Sequence, residues 1–164
     1  MKHFRNLICA ILLLFACVHG RAQKAGDAMP AFKILQTNNR YFQAGELDKT
    51  KPVVLIYFAP DCPHCQVLMD GIFKNISVFK NTQLVLITFK PLPELASFER
   101  QFSTAKYANI KTGTEGTTYL IRYYYNLSNT PFTAVYNKKG TLACSFRDIN
   151  TPVSQIINCV KNLK

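Results

Sequence analysis

An α/β domain built on a parallel β–α–β unit is the fold class this sequence predicts, and three observations predict it. Val53–Phe58 and residues 84–87 are short, uninterrupted apolar runs rich in β-branched and aromatic side chains. That is the pattern of strands buried on both faces. Between them Leu68, Met69, Ile72, Phe73 and Ile76 recur at helical spacing, so residues 63–76 read as a helix joining two parallel strands. The chain then closes with a hairpin and a last helix: Phe132–Tyr136, the turn Asn137-Lys138-Lys139-Gly140, and a returning strand. At 164 residues, 48% hydrophobic and 18% charged, the chain is long enough for one domain with one sizeable core, and too apolar to be disordered.

The first 22 residues stand apart from that domain, which spans 23–164. Lys2 and Arg5 precede an apolar run over residues 7–18, and Gly20-Arg21-Ala22 offers small residues at the two positions a signal peptidase reads. The run is about 12 residues, short of the roughly 20 a membrane-spanning helix needs. Three readings stay open: a signal cleaved after Ala22, a lipoprotein signal in which Leu14-Phe15-Ala16-Cys17 would place a lipid anchor at Cys17, and an uncleaved anchor. Each puts the domain outside the cytoplasm, in the periplasm or anchored in the envelope.

Three cations leave with that segment and no acids do, so 17 Lys+Arg face nine Asp+Glu and the net charge falls from +11 to +8. The cations are scattered, with Lys138-Lys139 the densest pair, whereas a nucleic-acid footprint clusters on one face or helix. The expected surface is a solvated one without a nucleic-acid partner.

Along the domain, residues 23–31 read as a linker of small residues. Residues 32–35 and the stretch from Tyr41 read as short strands around the turn Asn38-Asn39-Arg40. After the β–α–β unit two helical segments follow. Residues 94–105 place Leu95, Phe98 and Phe102 on one side, and residues 117–125 present Leu120, Ile121 and Tyr124 as the core face. In the returning strand Leu142, Cys144 and Phe146 alternate on one face. A helix from Pro152 carries the stripe Val153, Ile156, Ile157 and Val160.

The chemistry concentrates in Phe58-Ala59-Pro60-Asp61-Cys62-Pro63-His64-Cys65, where a buried strand gives way to a helix. Cys62 falls at the N-cap and Pro63 at the first helical position, which suits proline. The unpaired N–H groups of the first turn then face the Cys62 sulfur and favour its thiolate. Cys65, one turn later, joins the inward stripe with Leu68, Met69 and Ile72. One exposed, activated sulfur with a sheltered one behind it is what disulfide exchange requires: Cys62 attacks, Cys65 resolves. His64, between them, is expected to tune Cys62 through its ring, against the opposing charge of Asp61. A purely structural Cys62–Cys65 disulfide would close too small a loop to stabilise much. A metal site from Cys62, His64 and Cys65 would need a further ligand, and His64 is the one histidine after residue 22. Cys144 and Cys159 are expected as inert buried thiols; a second disulfide between them and a redox role are the alternatives.

The segment resembles the active site of the thioredoxin superfamily. Gly26-Asp27-Ala28-Met29-Pro30-Ala31-Phe32 and the strand before the cysteines are similar to its exported TlpA-like branch. The resemblance implies a central mixed sheet flanked by helices, and exchange of disulfides with cysteine-containing envelope proteins. It also implies a membrane thiol redox partner and no cofactor beyond the cysteine pair. Thr130-Pro131, before the final hairpin, matches the family's cis-proline, so Thr130 and Pro131 are implied as the substrate-binding platform beside Cys62. Residues 90–116 exceed the minimal family connection and are expected as a helical insertion. Three departures stand out. Asp61 replaces the usual tryptophan, Ile56 replaces the buried acid of cytoplasmic thioredoxins, and the Thr or Ser that peroxiredoxins place before their reactive cysteine is absent. The rival class is a non-catalytic metal- or thiol-binding protein on the same scaffold.

Overall fold

The computed structural model describes residues 24–163. The segment read as a signal, with Cys17, lies outside the described residues. Seven strands form one mixed sheet: β1 (Lys33–Leu35), β2 (Tyr41–Gln43), β3 (Val53–Phe58), β4 (Gln83–Thr88), β5 (Ile110–Thr114), β6 (Phe132–Tyr136) and β7 (Leu142–Phe146), in the order β2-β1-β5-β4-β3-β6-β7. Among the described residues four α-helices accompany them: α1 (Pro63–Lys74), α2 (Leu92–Phe102), α3 (Leu120–Tyr124) and α4 (Val153–Lys161).

The predicted β–α–β unit is β3–α1–β4, with Val53 beside Gln83 and Phe58 beside Thr88 in a parallel register. Every residue of β3 is buried. Because successive side chains alternate across a strand, it feeds two cores at once. Val54, Ile56 and Phe58 pack into one core with the α1 stripe Cys65, Leu68, Met69 and Ile72. Val53, Leu55 and Tyr57 pack into the other with Ile34, Ile121 and Tyr125. Helix α2 locks onto the first core through rings: Phe98 sits 4.5 Å from Phe58 and 4.8 Å from Phe102, which stacks 4.8 Å from Phe73 of α1. Such pairs contribute about 0.5–1.5 kcal/mol each beyond area burial, and here they fix α1, which carries Cys65 and is capped by Cys62, against the sheet.

Residues 90–116 hold more than the expected helical insertion. Helix α2 is there, and so is β5, which runs parallel to β4 with Ile110 beside Leu84 and Thr114 beside Thr88. Its short sequence Ile-Lys-Thr-Gly-Thr carries a single large apolar residue, so the pattern was too weak to read. Gly113 reflects close approach: a Cβ there would meet Ile34 Cγ1 at 2.6 Å.

Two core faces differ from expectation. On α3, Ile121 and the following Tyr125 are buried, while Leu120 and Tyr124 are exposed. The helix is one short turn entered through Tyr119 at φ 47, and that left-handed step resets the phase of the stripe. On β7, Leu142 joins one core while Cys144 and Phe146 pack against the other. A β-bulge is the reason: Tyr136 pairs with Leu142 but Val135 pairs with Cys144, so Ala143 is an extra residue that breaks the period-2 alternation.

That reversal carries Cys144 to the face covered by α4, where it forms a disulfide with Cys159. The expectation of two inert thiols is therefore corrected. Neither the bulge nor its effect on facing is visible in the alternation of Leu142, Cys144 and Phe146.

Candidate active site

The site lies at the carboxyl ends of β3 and β4. Cys62 is the N-cap of α1, in extended backbone (φ −86, ψ 120), and Pro63 occupies the first turn. Its sulfur is half-buried, and the thiol donates to the Thr130 carbonyl at 3.6 Å. Cys65 is 1% exposed, and its sulfur accepts the Ala59 N–H at 3.5 Å. The Thr130–Pro131 bond is cis; Pro131 is buried and Thr130 partly so. The fold thus brings Cys62, Pro63, Cys65, Thr130 and Pro131 into one cluster from stretches almost 70 residues apart.

The two thiols are driven in opposite directions. Partial burial pushes the Cys62 thiol up. The backbone N–H and thiol of Cys65, the contact with Thr130 and the His64 backbone N–H outweigh that burial and hold it below the ordinary thiol range. Burial dominates at Cys65 and pushes it up to about 12. One sulfur ionises more readily than an ordinary thiol and its neighbour less readily, the asymmetry a nucleophile and a resolving thiol need.

His64 serves Cys62 through its backbone and not through its ring. The side chain is exposed and, among the described residues, makes no hydrogen bond to the sulfur. The geometry of a first helical turn explains this: N–H groups point back at the N-cap while side chains radiate outward. Asp61 does not stand as a free opposing charge. Lys90 donates to its carboxylate at 2.7 Å and also lies 3.6 Å from Glu94. The Lys90 hydrogen bond is the leading cause that holds the Asp61 carboxyl below its ordinary range. Lys90 follows β4 as Asp61 follows β3, so the parallel pairing of those strands was the sequence signal that could have found the pair.

A cleft of about 310 Å³ opens beside Cys62, lined among others by Tyr57, His64, Phe89, Arg122 and Thr130. Phe89 rests 5.9 Å from the Tyr57 ring, and the Arg122 guanidinium lies 6.0 Å from the Phe89 centroid. Arg122 is held by the Leu127 and Ser128 carbonyls at 3.1 and 3.2 Å. Beneath the cleft sits Glu115, which accepts the Ile121 N–H at 2.8 Å and so ties down α3. Burial pushes the Glu115 carboxyl above its ordinary range. Tyr57 Oη and Glu115 Oε1 are close neighbours, yet neither reaches a hydrogen-bond partner among the described residues. Ile56, where cytoplasmic thioredoxins keep an acid, is fully buried and apolar.

A mixed sheet flanked by helices, a Cys-x-x-Cys pair opening a helix after a buried strand, and a cis-proline facing the first cysteine together define the thioredoxin-like fold. No protein-family profile matches the sequence, and no curated protein does. Solved structures do match the fold. A secreted Mycobacterium tuberculosis disulfide oxidoreductase homologous to E. coli DsbE shares a TM-score of 0.67 at 18% identity, over 80% of this chain and 95% of that one. A peroxiredoxin-like protein from Aquifex aeolicus gives 0.71 at 15% identity, over 88% and 90%. The peroxidoxin BcpB of M. tuberculosis gives 0.72 at 13%, over 87% and 99%. Among the described residues no helix is long and apolar enough to cross a membrane.

Proposed function

We propose that the chain is an exported thiol–disulfide oxidoreductase of the TlpA-like kind, acting through Cys62-Pro63-His64-Cys65 on cysteine-containing proteins of the envelope. The observation that carries this reading is the cluster itself: a Cys62 sulfur held below the ordinary thiol range, a buried Cys65 behind it and the Thr130 carbonyl 3.6 Å in front. In the reducing direction the Cys62 thiolate attacks one sulfur of a substrate disulfide. The other substrate sulfur leaves as a thiolate and takes up a proton. Cys65 then loses its proton and attacks the Cys62 sulfur of the mixed disulfide. The second substrate thiol is released and Cys62–Cys65 is oxidised, so two electrons pass to the substrate. The same steps run backwards when the oxidised pair meets a dithiol. Stabilising the Cys62 thiolate stabilises the reduced state, which favours the oxidising direction.

Thr130 and Pro131 form the platform on which the substrate chain rests beside Cys62, and a membrane thiol protein resets the pair. No cofactor enters these steps. Two matching folds bear peroxiredoxin names, but this chain lacks their Thr or Ser before the cysteine, so a hydroperoxide is not the proposed substrate. A metal-binding role is less well supported, since no third ligating side chain joins Cys62 and Cys65 among the described residues.

The test is the Cys65→Ser variant expressed in the native envelope. Without the resolving thiol, mixed disulfides on Cys62 should persist on non-reducing gels, vanish with dithiothreitol, and be absent when Cys62→Ser is added. Failure to trap any adduct, together with no insulin reduction by the wild type, would overturn the reading.

A further inference from the structure

Six lysines that lie scattered along the sequence are gathered by the fold at one end of the domain. β3 enters the sheet at Val53 and leaves it at Phe58, beside Cys62, so the Val53 end lies roughly 17–20 Å from the redox site. There a cleft of about 690 Å³ is floored by Pro52, Val78, Val160 and Leu163, and Lys51, Lys80, Lys138 and Lys161 stand around it. A second cleft shares Lys51 and Lys138 and adds Lys49 and Lys139. All six lysines are exposed. Asp48 is the one acid among the residues lining either cleft, and it is taken by Lys51 at 3.2 Å.

An independent observation concerns where the chain enters. The Gly26 N–H donates to the Leu142 carbonyl at 2.8 Å, and the Met29 N–H to the Gly140 carbonyl at 3.0 Å. Ala28 bridges Thr141. Ala28 and Met29 then line the second cleft together with Lys138 and Lys139. The described chain therefore joins the domain at the lysine end. The sequence reads the 22 residues at the start of the chain as a signal or a lipid anchor.

We propose that this pole is a docking surface for anionic lipid headgroups, holding the domain against a membrane with Cys62 facing away from it. Exposed lysines splayed around a wide opening suit one charged surface meeting another. A single bound phosphate would call instead for buried, converging donors, and no buried cation lines either cleft. Lysines near an anionic leaflet contribute additively and fade within a Debye length. The clustering, more than the net charge, is what makes the attraction directional. The inference concerns the end opposite the cysteines and stands or falls separately from the disulfide-exchange reading.

The test uses the full chain and sedimentation with two sets of vesicles, phosphatidylcholine alone and phosphatidylcholine with about one-third phosphatidylglycerol by lipid. Taking the ratio of partition between the two sets cancels any purely apolar insertion. Removing a lysine near an anionic surface lowers that preference about fivefold, so Lys80→Ser/Lys138→Ser/Lys161→Ser should lose about a hundredfold. The control Lys33→Ser/Arg40→Ser/Arg100→Ser removes the same charge away from both clefts and should keep most of the preference. The wild-type preference should also collapse as salt rises past physiological strength, ~0.15 M. The proposal is overturned if the wild type shows no anionic preference, if salt leaves that preference unchanged, or if both triple variants lose it equally.

Discussion

The domain holds two pairs of cysteines that share one core. Cys144 and Cys159 are joined across β7 and α4, with a sequence separation of 15. Cys62 and Cys65 are free thiols one turn apart at the start of α1. The side chains are chemically identical, and position alone separates them. Cross-linking Cys144 to Cys159 removes conformations from the unfolded chain, which a two-residue loop hardly does. Cys62, in turn, is surrounded by first-turn N–H groups that stabilise its thiolate, and nothing comparable surrounds Cys144 on a strand. The first pair staples the fold; the second is left as two free thiols whose tendencies to ionise are pushed apart.

The largest effect should come from crossing the two pairs. Cys62→Ser is expected to abolish insulin reduction. Removing the other bridge as Cys144→Ala/Cys159→Ala should leave the rate within about twofold, because no exchange step passes through it. That double variant should instead lose about 3 kcal/mol of stability, the loop-closure value for a bridge of this span, and melt roughly 10 °C lower. A double variant that melts like the wild type, or one that loses exchange while still folded, would erase the distinction between staple and catalyst.

A second measurement sharpens the asymmetry inside the redox pair. Alkylation by iodoacetamide requires the thiolate. Because Cys62 is held low, its alkylation rate should climb and level off below the ordinary thiol value of about 8.5. Cys65, pushed up to about 12 by burial, should stay unlabelled through that range. Equal labelling of both sulfurs at pH 7 would contradict the assignment of nucleophile and resolving thiol.

The smallest effects separate the neighbours of Cys62. Lys90→Met frees the Asp61 carboxylate beside the sulfur. A negative charge there disfavours a second one, so Cys62 alkylation at pH 7 should slow by roughly two- to threefold, the scale of an exposed ion pair. His64→Ala should change it less, since the contribution of His64 is a backbone N–H that alanine keeps. A larger loss in His64→Ala than in Lys90→Met would restore the imidazole as the tuner of the site.

The sequence alone determined the β3–α1–β4 unit, the N-cap placement of Cys62, the inward placement of Cys65 and the pairing of Thr130-Pro131 with them. All of these rest on local periodicity, helix-capping chemistry or a family-like motif, which neighbouring residues encode. What the tertiary structure decided is non-local. β5 is too short and polar to announce itself, and exists because β4 and β1 flank it. The left-handed step at Tyr119 decided which side of α3 is buried. One extra residue at Ala143 turned Cys144 toward Cys159, and the parallel pairing of β3 with β4 delivered Lys90 to Asp61. The six lysines at the far pole come from four separate stretches of chain, and only the folded sheet and its connections bring their charges to one surface.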